Sequence, residues 1–298
     1  MQQVSPLYAL NRFGIEMTTG IPKGFEFIEN LAKELSSKNL VFPTSLNITM
    51  RIRSALNDPN SSTEKVAHIV GAEPVLSAQL LRLANSAAMN RGGKSVVDLR
   101  TAISRLGYAM VRNLAISVGM RQLSQASPQS VMQPRVEKLW KHSILVASIS
   151  YILAKKRARI NPDEAMLAGL LHDIGEFYIL TRVKDFPDLF ADEAAIKEIT
   201  RLWHSEVGRA ILESWEIPEE IAAAIQDHET TDRAHAGLAD LTDVIMVANI
   251  LSGEGMPENI DWEKAPQAFG HLRLDSETCD TVLMDSEDEM KQIALALG

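Results

Sequence analysis

Seven histidines punctuate the chain, at positions 68, 142, 172, 204, 228, 235 and 271. His172 is followed directly by Asp173, and the pair interrupts the apolar run AGLLHDIGEFYIL. Left buried without partners, an imidazole and a carboxylate would each carry a large desolvation cost, so both need something to bind. A divalent cation is one such partner, because neutral imidazole and carboxylate ligate Zn, Mn or Fe and helices can aim ligands at a common interior point. Hydrogen bonds to neighbouring helices that merely fix packing are the alternative. His142 lies upstream on LWKHSILVAS, while His204 and His228 lie downstream on RLWHSEVGRAIL and AIQDHET. Four histidines and an aspartate on successive helices could converge in a bundle, although spacing alone does not bring them together.

The elements that would carry these residues read as helical. The chain has 298 residues, 46% of them apolar and only 5% aromatic, which supplies a large core and favours packed helices over many-turned sheets. Apolar residues recur at three- and four-residue intervals from about residue 25 onward, and no segment alternates strictly enough for a strand. GFEFIENLAKELSSKN and TSLNITMRIRSALNDPN read as helices, the second stopping at the turn signal Asn57-Asp58-Pro59-Asn60. Ser61 and Glu64 have the spacing of a capping box before KVAHIV. A helix follows Pro74 to a break at Gly92-Gly93, and residues 96–123 read as two helices jointed near Leu106-Gly107. SQASPQSVMQP, residues 124–134, is the best internal boundary. A long amphipathic helix then runs to Asn161-Pro162, which opens NPDEAMLAGLLHDIGEFYILTRV with an N-cap, a proline in the first turn and acids at the positive end of the dipole. Further helices are expected at 188–215, 218–228 and 237–252.

These residues reach a family. GLLHDIG, preceded by a helix carrying KHS and followed by HSEVGRAILESWEIPEEIAAAIQDHE, resembles the HD superfamily of metal-dependent phosphohydrolases, and within it the HD-related output domain (HDOD) branch. The FP opening at Phe42-Pro43, LLRLANSA and AISRLG support that branch, and the resemblance covers roughly residues 40–252. It implies an all-α fold, with an N-terminal helical lobe (1–128) packed on an HD-like bundle (129–252) and a C-terminal helical extension with an acidic tail (253–298). It also implies metal ligands at His142, His172 and Asp173, with His204 and His228 as the extra histidines of the binuclear relatives, the HD-GYP cyclic di-GMP phosphodiesterases. The implied cofactor is a divalent transition metal, Fe, Mn, Zn or Ni.

Three departures from the pattern weaken hydrolysis. Asn249 stands where the last ligand would be an aspartate, and an uncharged amide holds a cation more weakly. Glu176 stands where HD-GYP enzymes often carry a lysine, which removes a cation that could neutralise phosphate, and the GYP segment is missing. The resemblance therefore implies a bacterial, cytoplasmic signal-transduction protein acting through signalling proteins or a nucleotide ligand, with no catalytic residue assigned. The rival is a metal-dependent phosphohydrolase of a nucleotide or cyclic dinucleotide, whose catalytic group would be a metal-bound water held by His172 and Asp173.

Charge and the remaining residues narrow the partners. The net charge is −9, but residues 275–298 carry seven acids against one base, while residues 75–125 carry seven bases against the single acid Asp98. Arg82, Arg91, Arg100, Arg105 and Arg112 form a candidate phosphate or partner patch, with solvated helix faces as the alternative. Nucleic acid ranks last among partners, and no run of about 18–20 apolar residues suggests a membrane span. The acidic tail reads as a solvated end that could dock on the basic stretch. Asn85 and Ser86 suit backbone capping, Trp140 and Trp203 suit the core, and the lone Cys279 has no basic neighbours to activate it. His68, His235 and His271 fall outside the ligand pattern and read as surface or structural positions.

Overall fold

The computed structural model describes residues 26–27, 29–31, 33–34, 52, 54–56, 58, 61–87, 89–90, 93–125, 132–182, 185–215, 217–253 and 260–298. Among them there is no strand, as the apolar periodicity predicts. The upstream lobe contains α1 (Thr63–Gly71), α2 (Pro74–Ala84) and α3 (Leu99–Gln125). The bundle contains α4 (Gln133–Arg157), α5 (Pro162–Leu171), α6 (Ile174–Thr181), α7 (Glu193–Ser214), α8 (Glu219–Asp227) and α9 (Leu241–Ser252). The C-terminal helices are α10 (Gln267–His271), α11 (Ser276–Met284) and α12 (Glu287–Leu297). One continuous apolar core runs through all three regions, including Val66, Leu80 and Leu114 upstream, Val146, Leu170 and Ile225 in the bundle, and Ile293 and Leu297 at the end.

Local chemistry sets the boundaries. The joint expected near Gly107 is real: Gly107 has φ 80° and ψ 161°, a left-handed backbone that a side chain would strain, and it kinks α3 there. Asn161 caps α5 by accepting from the Asp163 N–H, with Pro162 in the first turn. The cap of α1 is Ser62 rather than Ser61, because Ser62 holds the extended backbone and its hydroxyl accepts from the Lys65 N–H. Helix α2 ends at Asn85, short of the expected glycine break. The Asn85 amide donates to the Leu81 and Val96 carbonyls at 2.8 and 2.7 Å and accepts from the Val96 N–H at 2.7 Å. That amide stands in for a missing backbone ladder, so Asn85→Ala should cost about 1–3 kcal/mol, read as a lower chemical-denaturation midpoint with an unchanged slope.

The run read as one helix from Asn161 onward is two. The break falls on the HD pair: His172 closes α5, and Asp173, at φ −104° and ψ 20°, precedes α6. Seven consecutive residues of α5, Ala165–Leu171, are buried, so the segment has no polar face whose period could reveal the joint. The boundary expected at 124–134 lies largely outside the described residues, as do most of the two N-terminal helices.

The acidic end is docked, not solvated. Helix α12 lies against α2, α3 and α4 and buries Ile293, Ala296 and Leu297, while Glu287 and Asp288 are exposed and Glu289 pairs with Lys155 of α4. Arg82 donates to the Leu295 carbonyl and Ser117 to the Leu297 carbonyl, satisfying groups that a helix end leaves open. The tail thus meets the basic lobe through apolar contact and helix-end carbonyls more than through its carboxylates. No helix among the described residues is long and apolar enough to cross a membrane.

Candidate metal centre

Four elements bring the ligands together. His142 sits in the middle of α4, His172 and Asp173 at the α5–α6 joint, His204 midway along α7 and His228 at the end of α8. Two glycine contacts set the distances between these helices. A Cβ on Gly169 would lie 2.9 Å from the Ala147 Cα, so α5 lies directly on α4. A Cβ on Gly175 would lie 1.9 Å from the His204 carbonyl oxygen, so α6 and α7 touch backbone to backbone beside the ligands.

The ring orientations fix the tautomers. Nδ1 of His172 faces the Gly169 carbonyl at 2.8 Å, that of His204 the Thr200 carbonyl at 2.9 Å and that of His228 the Ile225 carbonyl at 2.6 Å. A carbonyl can only accept, so each Nδ1 carries its hydrogen and each Nε2 is the nitrogen left to take a cation or a second proton. The Ser252 hydroxyl donates to the Asn249 carbonyl at 2.8 Å, which leaves its oxygen to accept from Nδ1 of His142 at 3.3 Å. All four Nε2 atoms therefore point inward. Those of His142 and His172 face one another at 3.1 Å, and that of His228 is buried with no hydrogen-bond partner.

Asp173 stands between two pairs of imidazoles. Its Oδ2 lies 3.1 Å from Nε2 of His172 and 3.7 Å from that of His142, while its Oδ1 lies 3.6 Å from Nε2 of His228 and 3.8 Å from that of His204. Two groups of three result, His142–His172–Asp173 and Asp173–His204–His228, sharing the carboxylate. Inward lone pairs backed by outward N–H donation to carbonyls are how proteins orient histidine ligands. Lone pairs at these separations repel unless a cation or proton lies between them, so the donor set fits one or two divalent transition metals.

The electrostatics agree. Burial raises the cost of the Asp173 carboxylate, but His172, His228 and His204 outweigh it and hold its pKa far below the usual range. Burial also opposes an imidazolium at His172, yet the adjoining carboxylate leaves its pKa raised. Burial and the neighbouring His172 push His228 down to about 3, and the same two causes lower His142. Metal uptake must therefore displace the proton that the neighbouring carboxylate favours on His172. Affinity should weaken as pH falls through that raised pKa, about tenfold per unit for one displaced proton, and level off above it. Zinc titrations from about pH 5.5 to 8.5 with proton-release measurement check this; a flat profile contradicts it.

The surroundings combine residues the sequence singled out with others it did not reveal. Asn249, read as a weak ligand, lies beside His142 and favours its protonated form. Glu229 brings a carboxylate 3.6 Å from Nε2 of His204, and its signal was its place beside His228 in DHE. Glu176 is half-buried at the centre's edge and bound by the Arg135 guanidinium at 2.8 Å, which also donates to Thr200. A guanidinium thus stands beside the centre although the expected lysine is absent, and its nearest anion is Glu176.

The arginines of the upstream patch are spread over separate contacts. Arg82 serves the end of α12, Arg100 pairs with Glu64 at 2.5 Å and Arg105 donates to the Ala84 carbonyl at 3.2 Å. Arg112 has a buried Nε, and Arg91 lies outside the described residues. Trp140 and Trp203 are buried, and burial pushes the Cys279 thiol up to about 11, leaving it protonated and unreactive at neutral pH.

Comparison with known proteins matches the family and the fold. A Shewanella amazonensis structure, provisionally named a metal-dependent phosphohydrolase, is 25% identical with a TM-score of 0.69, covering 93% of this chain and all of that one. An HDOD domain protein of unknown function from Geobacter sulfurreducens is 24% identical with a TM-score of 0.61, covering 90% of this chain and 97% of that one. An uncharacterized Treponema pallidum protein is 23% identical over 80% of this chain, which spans about half the length of that curated relative. The family model for the HDOD domain matches residues 42–231, which take in every ligand of the centre from His142 to His228, and the chain belongs to the HDOD family.

Proposed function

We propose that this chain is a signal-transduction output protein whose bundle holds divalent transition metal at His142, His172, Asp173, His204 and His228, and which acts through a nucleotide ligand or protein partner, not by fast turnover. The observation that carries the metal is the convergence of four Nε2 lone pairs on the two oxygens of one buried carboxylate. The enclosure of the centre supports the slow or noncatalytic reading. The His172 and His228 side chains are 0% exposed, His204 5%, Asp173 12% and His142 25%, so the ligand atoms are largely enclosed. A cyclic dinucleotide needs a wider approach to place its phosphorus against the ligands. Asn249 brings no charge to His142, and the Arg135 guanidinium is engaged by Glu176.

Phosphodiester hydrolysis is the second reading, favoured by the completeness of the ligand set and by Arg135. Metal content of purified and reconstituted protein, beside His172→Ala and Asp173→Ala, with bis-p-nitrophenyl phosphate and a cyclic dinucleotide as substrates, separates the two. The expected result is metal bound by the native chain, fewer equivalents in both variants and no metal-dependent turnover. Metal-dependent turnover lost in both variants overturns the noncatalytic reading, and native protein that takes up no metal overturns the metal centre.

A further inference from the structure

A second cluster lies outside the bundle centre. Asp243 is in the first turn of α9, and its carboxylate is fixed from two sides. Its Oδ2 accepts from the Asp240 N–H at 3.1 Å while its own N–H reaches the Asp240 carboxylate at 3.0 Å, a reciprocal capping box. Its Oδ1 accepts from Arg233 at 3.3 Å, and Arg233 is itself paired with Asp240. Two imidazoles from different segments approach the remaining face of Oδ2. His235, on the loop before α9, places Nε2 at 2.9 Å, and His271, at the end of α10, places Nδ1 at 3.0 Å. The rings lie 4.2 Å apart between centroids, and the three ligand atoms are mutually within 4.8 Å.

We propose that His235, Asp243 and His271 form a separate mononuclear site for a divalent cation of the zinc class, which clamps the C-terminal helices to the start of α9. Two histidines and a carboxylate oxygen make a three-ligand set of the kind that zinc accepts, leaving a fourth position for water or for the Asp240 Oδ2, 3.7 Å from Nε2 of His235. Tetrahedral ligands about 2.0–2.1 Å from zinc are roughly 3.3 Å from one another, close to the nitrogen-to-oxygen distances here. Nδ1 of His235 faces the Ala236 carbonyl at 3.4 Å. A single neutral tautomer can serve only one of its two oxygen neighbours, whereas a ring that donates from Nδ1 and ligates through Nε2 serves both. Arg233 occupies Oδ1 and orients the carboxylate so that Oδ2 faces the histidines. The carboxylate is 3% exposed and the two imidazoles 17–22%, so an ion can enter while its anion stays shielded.

The site is independent of the bundle centre, and zinc titration of two variants isolates it. His142→Ala with His228→Ala weakens the bundle centre and should still bind a single tight equivalent of zinc, with thermal stabilisation and slower proteolysis of residues 267–298. Native protein with His235→Gln and His271→Gln should bind one equivalent fewer than the unaltered chain. Those two side chains are partly exposed, so circular dichroism should show an unchanged fold. Where the first variant does not fold, the difference between the unaltered chain and the second variant decides alone. Equal zinc binding by those two overturns the proposal. Stabilisation that follows acidification and ignores zinc and chelator overturns it as well, since the imidazoles would then bind Asp243 through protons.

Discussion

Asp173→Ala is expected to weaken both halves of the bundle centre together, while His228→Ala weakens only one. The carboxylate is the sole group shared by the two ligand triplets, with Oδ2 toward His142 and His172 and Oδ1 toward His204 and His228. Even a residue that only supports a ligand costs about 10–100-fold in metal affinity when removed. A shared ligand should cost at least that at each position. The metal-free protein should suffer too, because Asp173 is the anion that keeps the His172 pKa raised against its burial. Removing one partner of a buried charge pair costs about 3–5 kcal/mol. Asp173→Asn preserves volume and tests charge alone. Metal stoichiometry, together with thermal unfolding in chelator, checks both effects; Asp173→Asn that keeps native affinity and stability contradicts the bridging role.

What could be read in the sequence followed from local signals. Asn161-Pro162 announced the start of α5, and Gly107 announced the kink in α3, since caps and left-handed backbone act within a few residues. The apolar spacing announced an all-helical chain. The residue types of the bundle centre were visible, but their meeting was not, because it depends on how four helices cross. The α5–α6 joint stayed hidden for a related reason: a segment buried on every side has no period to interrupt. His235 and His271 were invisible as a pair. Their common partner, Asp243, looks from the sequence like one more acid in the first turn of a helix, and only the return of α10 brings His271 beside it. The tail misled through its charge. Its acids dominate the composition, while a stripe of Ile293, Ala296 and Leu297 decides where it lies.

Gly175→Ala should produce the largest effect of any single methyl group in the bundle. The added carbon would fall 1.9 Å from the His204 carbonyl oxygen, 2.8 Å from the His204 carbonyl carbon and 2.7 Å from the Gly208 nitrogen, all of them backbone atoms that no rotamer change can move aside. Helices α6 and α7 must separate, and overpacking of this kind costs about 1–3 kcal/mol or more, a fall of several degrees in Tm. The displaced carbonyl belongs to His204 itself, so the strain is delivered to a ligand. The Asp173–His204–His228 half should lose affinity while the His142–His172–Asp173 half keeps more of its own. Gly208→Ala provides the comparison on α7, since its added carbon meets the Ile225 Cγ2 methyl at 3.2 Å and no backbone atom closer than 3.6 Å, and should perturb less. Metal titration and thermal unfolding of the two variants side by side test this, and equal effects would remove Gly175 from the set of residues that position the centre.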